Sequence, residues 1–254
     1  MKNGTKTKNV LALIVFACWY LMQGVVTAFL LTTLYNRLVN QGMSKSEGGM
    51  LLAFCSFLWG AKVIFGPLVD RYRSKLWGAC VNSLVIAVLV LLLPIMEGAA
   101  YAVILVAISI PNIVMALQDV MVDGLAIQVL NEKDRGAAQT VMKVAAYFGT
   151  FLGGGVAMFA ASRIPWGMMC VFVAVFVIIT GALVPLILQK SAEETKSGPK
   201  TPRSFGQMLE DFRQMFKSPG IYAALALGLL AYPAHGLTEP IFFAWWKEVG
   251  LSKD

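Results

Sequence analysis

The chain has 254 residues, of which 58% are hydrophobic and only 14% charged, and its mean hydropathy is +0.71. Soluble domains carry about 25% charged residues, so the composition excludes an ordinary water-soluble globule. The net charge of +7 is not a nucleic-acid signature here, because the basic residues of a membrane protein gather in its cytoplasmic loops.

Seven long apolar runs predict seven transmembrane helices, each able to cross the roughly 30 Å hydrocarbon layer at about 1.5 Å per residue. The first is Val10–Leu34, too long for the apolar core of a signal peptide, and it carries Gln23. The second, Gly49–Val69, carries Lys62, and the third is Trp77–Met96. The fourth, Tyr101–Ile127, holds Asn112, Gln118, Asp119 and Asp123. The two acids are four residues apart, which places them on one helix face. The fifth, Ala137–Ala161, carries Lys143, followed by Gly149, Gly153 and Gly154 at a spacing suited to close helix packing. The sixth is Pro165–Leu188. A polar link follows, in which Ser204–Phe216 places Phe205, Met208, Leu209, Phe212 and Phe216 on one face and predicts a short helix on the membrane surface. The seventh, Ile221–Trp245, has His235 and Glu239 four residues apart between Pro233 and Pro240. The cysteines (Cys18, Cys55, Cys80, Cys170) all lie in apolar runs without metal-ligand spacing, so they read as packing residues.

Orientation follows from Lys and Arg. With the N-terminus in the cytoplasm, fourteen fall in inner segments and five in outer ones, leaving Lys62 and Lys143 within spans. The expectation is an all-α integral membrane protein. It comprises a six-helix bundle over residues 1–189, a cytoplasmic linker with an amphipathic helix over 190–219, and a first helix of an incomplete second bundle over 220–254. An internal repeat supports the last element: Gly42-Met43-Ser44-Lys45 returns as Gly250-Leu251-Ser252-Lys253. Six spans, a long link and a parallel repeat are the plan of a transporter of two six-helix halves. The expected partners are therefore a small-molecule solute, the lipid bilayer, and a second half in the same longer chain or a partner chain, with no nucleic acid.

Charge inside a membrane span is costly and usually marks an ion, proton or substrate path. Lys62, Asp119 and Lys143 each lie eight or nine residues from the cytoplasmic end of their spans, which puts all three at a common depth of about 12–13 Å. With Asp123 one turn below Asp119, these residues predict a buried charge cluster whose pairings change during transport. His235 and Glu239 form a second candidate proton-coupling pair, since histidine titrates near neutral pH. Gln23, Asn112 and Gln118 are polar in-span candidates for solute contact. The competing reading is structural, because a buried pair can fix helix register and charges near helix ends can reach the interface. No phosphate-binding Gly-x-x-x-x-Gly-Lys run, Ser-His-Asp set or metal-ligand set is present in the sequence, so neither an ATP-driven pump nor a membrane enzyme is favoured. A proton gradient, and no cofactor, is expected to drive the chain.

The loop Gly66-Pro67-Leu68-Val69-Asp70-Arg71-Tyr72-Arg73-Ser74-Lys75 resembles the Gly-x-x-x-Asp-Arg-x-Gly-Arg-Arg signature of the major facilitator superfamily, although no glycine follows Asp-Arg. Lys62, Pro67, Leu68, Asp70 and Arg71, with Gln118-Asp119 and Asp123, are similar to a subgroup, the AmpG-type muropeptide permeases and acetyl-coenzyme A transporters. The glycines of span five only faintly resemble the superfamily's antiporter motif, whose proline is missing. The resemblance implies secondary transport, with uptake of a muropeptide-like sugar-peptide across a bacterial inner membrane; an acyl-coenzyme A or another sugar or organic solute is the alternative cargo. It also implies a cytoplasmic gate at Asp70, Arg71 and Arg135. A non-transporting membrane scaffold or sensor is the rival of another class, and the charges in the spans argue against it.

Overall fold

A computed structural model describes residues 2–70, 74–96 and 98–186, and then only 206, 207, 210, 213, 214, 216–223 and 226. The chain divides into two units, Met1–Pro202 and Arg203–Asp254. In the second unit the described positions are mostly helical, and Gln214 Nε2 lies 3.4 Å from Glu210 Oε1 on one helix face. The apolar residues Phe205, Met208, Leu209 and Phe212 lie outside the described residues, as does nearly all of the expected seventh span.

The first unit is built of six helical runs, with no strand among the described residues. Helix α1 runs through Lys2–Ala28, a π turn at Phe29–Leu34 and Tyr35–Asn40. Helix α2 comprises Lys45–Gly60, a 3-10 turn at Ala61–Ile64 and Phe65–Asp70. Helix α3 is Lys75–Leu92 with a 3-10 turn Leu93–Met96, and α4 is Tyr101–Val129. Helix α5 is Glu132–Thr150, a π turn Phe151–Val156 and Ala157–Ala161; α6 is Trp166–Val177 with a π turn Ile178–Leu183. Five of these runs (α1 and α3 to α6) are long and apolar enough to cross a membrane. The helices outrun the apolar runs by several residues, as at Tyr35–Asn40, because helix formation needs no bilayer. The first stops where Gly42 takes a φ of 105°, which side-chain-bearing residues avoid.

Local chemistry fixes the ends. Ser44 and Glu47 form a capping box at the start of α2, and the Ser44 hydroxyl and backbone N–H hold the Glu47 carboxyl below its usual range. Ser74 caps α3 through the Trp77 N–H, while Glu132 and Asp134 place negative charge at the positive end of α5.

Helices α1 and α5 cross through glycine. A Cβ on Gly24 would strike the Ala146 carbonyl, and one on Gly149 or Gly153 would strike the α1 backbone at Leu21 or Val25. The small-residue spacing of the fifth span is thus a packing surface, as the sequence suggests. The π turns complete the joint. A π turn widens the backbone ring and leaves a carbonyl outside the ladder, which must find a partner where there is no water. The Thr33 hydroxyl donates to the Gly153 carbonyl at 2.8 Å. In α6 the Gly181 carbonyl accepts the Trp19 indole N–H at 2.9 Å and lies 3.0 Å from the Ser83 hydroxyl.

Two apolar cores result. One joins Met22, Phe29 and Leu34 to Ile86, Met115, Trp166 and Val177; the other joins Val15 and Trp19 to Cys80, Met121, Ala126 and Met142. Along α3 the residues between them are Asn82 and Ser83, and along α4 they are Gln118 and Asp119. A polar layer therefore separates the cores.

Candidate functional site: a charge cluster in the polar layer

The 3-10 turn of α2 carries Lys62, whose Nζ donates to Asp119 Oδ2 at 2.9 Å. The pair is lopsided: the lysine side chain is 42% exposed and the aspartate 7%. Nζ also lies 5.7 Å from the centre of the Trp59 ring, a cation–π distance. One turn along α4, Asp123 Oδ1 accepts a hydrogen bond of 2.5 Å from the Tyr20 hydroxyl. Tyr20 is buried on α1. Lys143 of α5 is exposed, and its Nζ sits 5.7 Å from the centre of the Tyr20 ring. Lys62, Asp119, Asp123 and Lys143 therefore converge from three helices, with the Tyr20 phenol of a fourth among them. His235 and Glu239 lie outside the described residues.

The sequence did not single out Tyr20. A tyrosine in an apolar run reads as packing, and the available signal was only that a buried phenol usually needs a hydrogen-bond partner.

The amide residues occupy the interior. Gln118 is fully buried and donates from Nε2 to the Ser83 hydroxyl at 2.8 Å, tying α4 to α3. Asn112 donates to the Ile108 carbonyl at 2.7 Å and lies 3.6 Å from Cys55 Sγ on α2. Gln23 is buried on α1. Each of the three keeps one buried amide atom without a protein partner: Gln23 Nε2, Asn112 Oδ1 and Gln118 Oε1.

Near the start of α5, Arg135 donates from Nη2 to the Ile127 carbonyl at 3.0 Å. A cation there stabilises the negative end of α4, so Arg135 braces two adjoining helices. Asp70 ends α2, but its side chain lies outside the description, as does all of Arg71.

The profile of the Major Facilitator Superfamily matches residues 9–246 of this chain. The chain belongs to the major facilitator superfamily. This facilitator is accordingly an integral, multi-pass membrane protein of a secondary-transporter family, which is not an enzyme class. The superfamily expectation drawn from the Asp70-Arg71 loop holds, and with it the all-α membrane fold.

Proposed function

We propose that this facilitator imports a bulky polar solute, such as a muropeptide-like sugar-peptide, in symport with protons across a bacterial cytoplasmic membrane. The observation that carries the coupling is the Lys62–Asp119 ion pair inside the apolar bundle, next to a second acid, Asp123, held by Tyr20. A static anchor gains nothing from desolvating these groups, whereas a carrier uses them to bind and release a proton. The solute class is supported by the motif resemblance at Lys62, Pro67, Leu68, Asp70, Arg71, Gln118, Asp119 and Asp123.

Transport in this reading proceeds by rocking of two bundles about a midplane site. The proposed organisation keeps 1–189 as the first bundle, 190–219 as the linker and 220–254 as the entry to the second, where His235 and Glu239 would add a coupling pair.

The test is uptake of a labelled disaccharide-peptide into cells expressing the protein, with and without a protonophore. Asp119→Asn should abolish uptake at unchanged membrane levels. Normal uptake by that variant overturns the role of the cluster. Protonophore-resistant uptake overturns the coupling, and uptake of an acyl-coenzyme A in place of the sugar-peptide reassigns the cargo.

A further inference from the structure

We infer that Tyr20 is a positioning residue that makes the two acids of α4 unequal, holding Asp123 as the proton-exchanging carboxyl while Lys62 keeps Asp119 charged. The inference rests on the proton-coupled reading above and names the group that reading leaves open.

The two acids differ in their partners. Asp119 has an ammonium at 2.9 Å, and protonating it would break that ion pair. Asp123 takes a neutral phenol instead, and among the described residues it forms no ion pair. A partly buried carboxylate bonded only to a hydroxyl carries its charge at a cost. Once protonated it loses that charge and keeps the contact, since the carboxyl O–H can donate to the phenol oxygen in place of the bond it accepted. Proton uptake at Asp123 therefore breaks nothing, and proton uptake at Asp119 breaks its ion pair with Lys62.

The second strand concerns the cations that face Asp123. From α2 comes Lys62, already engaged with Asp119. From α5 comes Lys143, whose ammonium rests over the face of the Tyr20 ring rather than on the carboxylate. From α3 comes Lys75, whose Nζ lies beside the backbone of Gly124. From α1 there is Tyr20, and on α4 itself Asp119. Asp70, at the end of α2, has its side chain outside the description. The phenol thus meets Asp123 with its hydroxyl and a lysine with its ring. It denies Asp123 a permanent counter-ion while satisfying its hydrogen bond. Phenylalanine would fill the same volume and supply Asp123 with no donor.

The measurement is infrared titration of the purified protein in lipid vesicles, following the protonated-carboxyl stretch against pH. The wild type should show one such band titrating. Asp123→Asn should remove it and Asp119→Asn should keep it. Tyr20→Phe should move its midpoint to higher pH by about one unit, because a hydrogen bond to the charged form is gone. If Asp123→Asn does not fold, Asp123→Glu, which keeps a carboxyl but moves its stretch, assigns the band. A Tyr20→Phe protein that melts earlier with an unmoved midpoint makes Tyr20 merely structural and overturns the proposal. A band lost in Asp119→Asn and retained in Asp123→Asn overturns the assignment but leaves proton coupling standing. No titrating carboxyl in any variant between about pH 4 and 9 removes the coupled reading itself.

Discussion

Lys62 and Asp119 share an ion pair but not an environment, since the acid is 7% exposed and the base 42%. Removing the lysine leaves a desolvated carboxylate, which costs about 3–5 kcal/mol in a fully buried pair and less here, where water reaches the ammonium. Lys62→Met should therefore lower the melting temperature of the detergent-solubilised protein, and Lys62→Met/Asp119→Asn should recover most of the loss. A double variant as unstable as the sum of the singles contradicts the pairing. The positions of these charges were legible in the sequence because a formal charge stands out in an apolar run, and counting residues from the span ends gave their common depth. Tyr20 was not legible. Its role depends on which helix face meets α4, a fact of packing rather than of local pattern. The same holds for Gln118, whose polarity suggested solute contact and whose amide is bonded to Ser83 between two helices.

Elements show a similar division. Apolar runs gave the six helices of the first unit to within several residues, although only five of them, α2 excepted, are long and apolar enough to cross a membrane, and the close packing of Gly149 and Gly153 was read from their spacing. The interruptions were not read. Nothing in local propensity marks the 3-10 turn at Ala61–Ile64 or the π turns, which form where tertiary bonds reward an irregular backbone. Two glycines of one π turn separate packing from mere composition. A Cβ at Gly153 would collide with the Val25 backbone, while one at Gly155 would meet only ordinary contacts of 3.5 Å from the Phe151 ring. Gly153→Ala should destabilise the protein by about 1–3 kcal/mol through overpacking, whereas Gly155→Ala should be close to neutral. Equal melting temperatures for the two variants would show that α1 and α5 do not cross there.

At the scale of the molecule, the Lys and Arg asymmetry that set the expected topology makes a direct prediction. A membrane-impermeant maleimide added to intact cells should label Ser44→Cys, in the turn between α1 and α2, and spare Asn131→Cys, in the turn between α4 and α5, until the membrane is opened. The reverse pattern overturns the N-inside orientation. Superfamily membership and helical class were legible because composition, span count and one loop motif are global or local properties. The separation into two apolar cores by a polar layer was not, since it needs four or more helices in register. The hydrogen bonds between helices have a further consequence, which lies in their acceptors. The oxygens that bind Thr33, Trp19 and Ser83 belong to the peptide groups of Gly153 and Gly181. A peptide oxygen has no letter of its own in the genetic text, so half of each such link is invisible to any survey of side chains. Substituting every polar residue in turn would find the donors and miss the acceptors. Replacing the amide that bears the oxygen with an ester, which weakens the carbonyl as an acceptor and leaves the side chain in place, is how that silent half would be heard.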